Sequence, residues 1–160
     1  MATCIFPGSF DPVTKGHVNL IARASRLFDH VTVTVMNNIR KKGSIPVEKR
    51  VRMLKKVCVE FPNVSVDKWD GLLADYMKEK KETIIIRGIR GSGELDQEMQ
   101  ACTANRMLNT DIETLFIPCD PAMNGISSSA VREIVSFGGD ISGFVPDALT
   151  EEIVSLLSKK

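Results

Sequence analysis

The sequence predicts a single α/β domain, a doubly wound parallel sheet of five strands. Three observations carry that prediction. Short β-branched runs alternate with segments of helical spacing, and one run is apolar throughout. The 160 residues, 43% of them hydrophobic, fall in the single-domain range.

The strand candidates are Ala2 to Phe6, Val31 to Met36, Val64 to Asp67, Thr83 to Arg87 and Glu113 to Ile117. Leu20, Ala24, Leu27 and Phe28 recur at helical spacing after the first, and Val47, Val51, Leu54 and Cys58 after the second. Gly71 to Lys80 and Glu94 to Leu108 supply two more helices, followed by Ser127 to Phe137 and a C-terminal helix opened by Pro146. The apolar stripes read as core. Thr83-Ile84-Ile85-Ile86 has the unbroken apolar character of a strand covered on both faces, which strands joined by crossover helices require. No repeat, linker or low-complexity stretch interrupts the pattern.

Composition excludes several classes of function. With 21 Lys plus Arg against 20 Asp plus Glu, the net charge is +1, which supports neither a general nucleic-acid binder nor a membrane-surface binder. Any basic site is built by placement. No apolar run approaches the ~18 residues of a membrane span, and the N-terminus lacks a charged region followed by an apolar one, so a cytoplasmic location is expected. Cys4, Cys58, Cys102 and Cys119 form no CxxC pair and read as reduced, mostly buried thiols, with no metal site.

In an open sheet of order 3-2-1-4-5, ligands sit beyond the carboxyl ends of the strands, between the first and the fourth. Three loops qualify. After strand one comes "PGSFDPVTKGH", where Pro7-Gly8 turns the backbone, Ser9 offers a hydroxyl and an N–H, and Gly16-His17 lies near a helix start that favours anions. The plainer alternative is a turn with His17 capping or packing. After strand four comes "RGIRG", whose Arg87 and Arg90 both reach the crevice and call for an anion, unless they form structural salt bridges. After strand five, Ser127, Ser128 and Ser129 stand at a helix start, ready to cradle phosphate or simply to cap. Arg40-Lys41-Lys42 adds charge at the same rim, or is merely solvated. His30, at a helix end just before a strand, reads as structural. Neither a GxGxxG fingerprint after the first strand nor a Walker motif is present.

Together, "PGSFDPVTKGH", "IIIRGIR", "EMQ" and "ISSSAVRE", in that order, resemble the HxGH nucleotidylyltransferases, and within them the bacterial branch that adenylylates phosphopantetheine. Thr14 stands for the first histidine of HxGH, as is usual in that branch, while Gly16 and His17 match. The resemblance spans nearly the whole chain. It implies a Rossmann-like nucleotidylyltransferase fold and transfer of an adenylyl group from ATP, with Mg2+, to 4'-phosphopantetheine, giving dephospho-coenzyme A and pyrophosphate in coenzyme A synthesis. A cytoplasmic homohexamer is implied as well.

Residue by residue, the resemblance implies Ser9 and Phe10 at the nucleotide, Ser9 also at the pantetheine phosphate, and His17 against the α-phosphate. It implies Lys41, Leu73 and Arg87 at phosphopantetheine. ATP takes Gly88, Ile89, Arg90, Glu98, Met123, Asn124, Gly125, Ile126, Ser127, Ser128 and Ser129. Gly91-Ser92-Gly93-Glu94 replaces the more apolar turn common after the second arginine, and Met123-Asn124-Gly125 lacks the usual aromatic before the serines.

Joining two phosphates needs alignment and charge neutralisation, not a protein nucleophile. The expected catalytic groups are therefore His17, as donor to the α-phosphate, Lys41 with Arg87 on the attacking phosphate, and Arg90 with the serines on the departing pyrophosphate. The charge of His17 stays open, because the helix N-terminus disfavours the cation and phosphates favour it. Two rival functions remain. A sister enzyme using nicotinamide mononucleotide or an alcohol phosphate would differ at Lys41, Leu73 and Arg87, and a non-enzymatic adenine-nucleotide sensor would need neither Lys41 nor His17.

Overall fold

A computed structural model describes residues 1–158. Five strands, β1 (Thr3–Gly8), β2 (His30–Met36), β3 (Val64–Trp69), β4 (Ile84–Ile89) and β5 (Glu113–Pro118), form one sheet in the order β3-β2-β1-β4-β5. Every pairing is parallel. The helices are α1 (Lys15–Leu27), α2 (Val47–Cys58), α3 (Leu73–Lys80), α4 (Ser92–Leu108), α5 (Ser128–Ser136) and α6 (Thr150–Leu157). The expected architecture and strand count are those observed.

Alternation along the strands builds a core on each face, because successive side chains point to opposite sides. Cys4, Phe6 and Ile86 join the larger cluster with Leu20, Ile21 and Ala24 of α1, Met53 and Leu54 of α2, Val131 of α5 and Ile153 of α6. Ile5 and Ile85 join the smaller cluster with Ala74, Tyr76 and Met77 of α3. Both isoleucines between Thr83 and Arg87 that face opposite cores, Ile85 and Ile86, are 1% exposed, as the unbroken apolar run predicts. On β2, Thr34 faces the smaller cluster at 0% exposure and donates to Tyr76 Oη at 3.0 Å, so its hydroxyl is satisfied.

Element boundaries move mainly at the carboxyl ends of the strands. β1 runs on to Gly8 and β4 to Ile89, so Pro7, Gly8, Gly88 and Ile89 are strand residues rather than loop. β1 pairs with β2 over its whole length, whereas its pairing with β4 is confined to Ile5 opposite Ile85. Beyond that point the sheet opens, and Arg87 Nη1 donates to Pro7 O at 2.7 Å where a ladder bond would otherwise fall. The crevice therefore lies between β1 and β4, at the switch in strand order.

The C-terminal helix differs in its start. Pro146 precedes a short 3-10 turn, Asp147–Leu149, and α6 begins only at Thr150. Cys4, Cys58, Cys102 and Cys119 are all free thiols. Burial pushes the Cys4 thiol up to about 12 and the Cys58 thiol to about 11, which keeps both protonated and inert. His30 accepts or donates a 2.8 Å bond with Ser65 Oγ across β2 and β3, the structural role its position predicts.

Candidate active site

Two cavities of about 240 and 290 Å3 open on the crevice and share Ser9, Arg87 and Glu98 in their walls. The smaller is largely apolar, lined by Pro7, Met36, Leu73, Ile85, Ala101 and Cys102, with Asn105 and Thr114 as polar points. The larger is polar. Thr14, His17, Arg90, Glu94, Arg132 and the serines 127–129 line it, with Phe6, Leu20 and Ile126 as its apolar patches. The imidazole, both loop guanidiniums and the serine turn thus come to one place from three distant segments.

His17 is held from below. Thr14 caps α1: its Oγ1 accepts the His17 N–H at 3.4 Å, and His17 Nδ1 in return accepts the Thr14 N–H at 3.0 Å. The plainer reading of this stretch, a capping histidine, is therefore correct, yet the same side chain lines the polar cavity. Burial first, then the nearby Arg87 and Arg90, lower its pKa to about 4. In the unliganded chain the ring is neutral at physiological pH. With Nδ1 accepting from a backbone N–H, the ring proton sits on Nε2.

Phe10 lies under the imidazole, 1% exposed, with ring centroids 4.9 Å apart, and packs edge-on against Phe6 at 5.5 Å. Its ring lines neither cavity and packs against His17. Phe10 adopts φ 46°, in the left-handed region, and Gly8 makes room for its ring, since a Cβ there would stand 3.0 Å from it.

The two arginines do call for anions, and the protein supplies one to each. Arg87 pairs with Glu98 through Nε at 2.8 Å and Nη2 at 2.7 Å. Arg90 pairs with Glu94 through Nε at 2.8 Å and through Nη2, and its Nη1 donates to Ile126 O at 2.9 Å. Among the described titratable residues of the polar cavity, three guanidiniums face two carboxylates and a neutral imidazole, leaving one net positive charge. The cavity is thus weakly positive, and its guanidiniums are held as oriented donors. Glu98, expected at ATP, lines both cavities but has its two oxygens on Arg87.

The three serines divide their tasks. Ser127 Oγ caps α5 by accepting the Ala130 N–H at 3.1 Å, Ser128 Oγ donates to Pro12 O at 2.7 Å, and Ser129 Oγ accepts from Arg132 Nη2 at 3.2 Å. Only Ser128 spends its O–H proton; Ser127 and Ser129 accept in these bonds and keep a proton to donate, beside the first backbone N–H groups of α5.

Lys41 stands apart from this arrangement. It is exposed in the segment between β2 and α2 and lines neither cavity; nor do Ile89, Asn124 and Gly125. Leu73 lines the apolar cavity, and Gly88, Met123 and Ile126 the polar one. A Cβ on Gly88 would overlap Leu20 Cδ1 and lie 3.1 Å from Cys119 Sγ, so a larger residue there requires Leu20 to move. The segment carrying Lys41 is tied down at its far end, where the Asp11 carboxylate accepts the N–H groups of Ser44 and Ile45 at 2.7 and 2.8 Å. Arg50, 4% exposed, joins the same knot by donating to Ser9 O at 2.7 Å and Ile45 O at 2.9 Å.

Sequence reasoning missed Glu94, Thr14 and Arg132 as parts of the site. Glu94 had a signal in its i,i+4 spacing from Arg90, and Arg132 in lying one helical turn beyond Ser128. Thr14 was legible only as a substituted histidine; its capping bond needed the fold.

Fold and site define a nucleotide-handling α/β protein, and residues 5–134 match the Cytidylyltransferase-like family, which makes its class nucleotidyltransferase. The chain is 41% identical over 159 residues to the phosphopantetheine adenylyltransferase of Clostridium novyi, covering 99% of each chain. It is 44% identical to that of Natranaerobius thermophilus, covering 96% of this chain and 95% of the relative, and 41% identical to that of Clostridium tetani over the whole of both. The chain belongs to the phosphopantetheine adenylyltransferase family, as the motif resemblance implied. No described helix is long and apolar enough to cross a membrane.

Proposed function

We propose that this enzyme transfers the adenylyl group of ATP to 4'-phosphopantetheine, forming dephospho-coenzyme A and pyrophosphate. The observation that supports this most directly is the meeting of an apolar and a polar cavity at Ser9, Arg87 and Glu98. The apolar cavity suits the pantetheine arm, the polar one suits ATP, and the shared wall is where the acceptor phosphate meets the α-phosphorus. A phosphate oxygen of the acceptor bonds to that phosphorus as its bond to the bridging oxygen breaks, and the electron pair leaves with pyrophosphate.

In this reading His17 Nε2–H donates to an α-phosphoryl oxygen, where charge must be held in the transition state. Arg87 faces both cavities and holds the acceptor phosphate in line. Arg90 and the N-terminus of α5 receive the departing pyrophosphate. Lys41 reaches the phosphates only if its segment moves inward, so its part is that of a mobile cation added on substrate binding. The enzyme family uses a divalent ion with ATP; here Mg2+ is read as arriving with the triphosphate, whose oxygens ligate it. The fit with the protein is consistent with that, since Glu94 and Glu98, the carboxylates lining the polar cavity, are already committed to arginines.

A homohexamer is proposed on the strength of α4. This helix has no buried residue, and its Met99, Met107 and Leu108 are 48, 81 and 61% exposed. The four free cysteines fit a reducing, cytoplasmic location.

Pyrophosphate release from ATP, followed across 4'-phosphopantetheine, nicotinamide mononucleotide and small alcohol phosphates, tests the reading. Release with phosphopantetheine is expected. Release with another acceptor instead would assign a sister activity, and ATP binding without release in any mixture would assign a sensor.

A further inference from the structure

Arg87 and Arg90 are held in the same way. Each guanidinium gives Nε and Nη2 to a glutamate of α4 and Nη1 to a backbone carbonyl, Pro7 O for Arg87 and Ile126 O for Arg90. A guanidinium has five N–H donors, so each keeps one on each terminal nitrogen. Glu94 does one thing more. Its second oxygen accepts the backbone N–H of Arg90 at 3.1 Å, fixing the main chain that carries the side chain.

Local structure explains why Glu94 is free for this. The N-cap of α4 is Gly91, which has no side chain to cap with, and Glu94 at the third helical position reaches out of the helix to Arg90 instead of back to the cap. Burial opposes the charge on Glu94, and the Arg90 bonds overcome it, so its carboxyl stays below its usual pKa. The pair joins the last residues of β4's segment to the first turn of α4, and Ile126 O brings in the turn before α5. Three walls of the polar cavity are thus fixed through one guanidinium.

We propose that Glu94 is the positioning residue of Arg90, fixing that guanidinium as a two-donor fork for the polyphosphate of the nucleotide. The proposal rests on the reading of the polar cavity as the ATP site. It makes a definite choice of sign. If Glu94 merely neutralised Arg90, removing it would strengthen the field and tighten ATP binding; if it orients Arg90, removing it releases a long side chain and weakens binding.

The test is calorimetric binding of Mg-ATP and, separately, of 4'-phosphopantetheine to the wild-type chain, Glu94→Ala, Glu94→Gln, Arg90→Ala and the double variant. Glu94→Ala is expected to weaken Mg-ATP binding roughly 10- to 100-fold, as loss of charge-assisted hydrogen bonds does, with phosphopantetheine changed by less than about twofold. Glu94→Gln, which keeps one acceptor oxygen, falls between. In the Arg90→Ala background, Glu94→Ala is expected to add nothing, because its effect runs through the guanidinium. Unchanged or tighter Mg-ATP binding by Glu94→Ala overturns the proposal. So does an equal loss for both substrates, which marks a general weakening of α4, and so do additive losses in the double variant. Binding reports on Glu94 even if the wild-type chain releases no pyrophosphate, an outcome that would defeat the functional reading alone.

Discussion

The backbone N–H of Thr14 donates to His17 Nδ1 at 3.0 Å, and that one bond decides which ring nitrogen faces a ligand. An imidazole whose Nδ1 accepts carries its proton on Nε2, so His17 offers the polar cavity a neutral N–H donor. The pair also gives Thr14 its structural part at the start of α1. A short hydroxyl caps the helix and leaves the cavity open above it.

His17→Ala removes the donor and half of the capping box. A fall in kcat of about 10² to 10³, or roughly 2.7 to 4 kcal/mol, is expected, as for loss of one preorganised donor to a developing oxyanion. Stability should fall by only about 1 kcal/mol, the usual worth of a cap. Pyrophosphate release and urea unfolding, run on the same sample, separate the two effects; a near-normal kcat would refute the assigned role.

Acid titration gives a second check. His17 has a pKa of about 4 in the folded chain against 6.5 for the free side chain, so the unfolded state takes up a proton first as pH falls. Its contribution is fully present above pH 6.5 and is lost progressively down to about 4, so stability rises with pH across that window. The span limits the effect to about 3 kcal/mol, reduced by whatever solvent reaches the ring. Unfolding free energies measured from pH 4.5 to 7 should show this slope in the wild-type chain and a shallower one in His17→Asn.

Gly88→Ala tests the tight passage of β4 between Leu20 and Cys119. A methyl group there drives into Leu20, which is 6% exposed, and is expected to cost about 1 to 3 kcal/mol as overpacking. Combining it with Leu20→Ala should give a double variant more stable than the sum of the single losses predicts, by at least about 0.5 kcal/mol. Strict additivity in thermal unfolding would show that the two positions do not collide.

The exposed apolar residues of α4 yield a prediction about assembly. Light scattering after size exclusion should report six chains per particle, and Met107→Lys with Leu108→Lys should shift the distribution to smaller species. These residues are 81 and 61% exposed in the single chain, so the substitutions are expected to alter its own stability by less than about 0.5 kcal/mol. A six-chain particle unaffected by both lysines would place the contacts elsewhere.

The sequence by itself determined the sheet, its five strands and the three loops that converge on the crevice. Alternating β-branched runs and helical stripes leave few ways to bury both faces, and strand order then fixes where the crevice lies. It also named His17, Arg87 and Arg90, because the glycine-bearing segments that carry them follow strands whose carboxyl ends border the crevice. Tertiary structure decided what these groups are chemically. The neutrality of His17 comes from burial beside two guanidiniums, and the reduced charge of the cavity comes from Glu94 and Glu98, which composition counts but cannot pair. Phe10 went inward, and the serine hydroxyls turned to Pro12, Ala130 and Arg132, for the same reason: which way a side chain points depends on partners brought in from elsewhere in the chain. Local spacing carries the periodicity of a segment, whereas protonation, orientation and hydrogen-bond satisfaction are set by neighbours distant in the chain, as between Arg132 and the Asp11 carbonyl it holds, 121 residues apart.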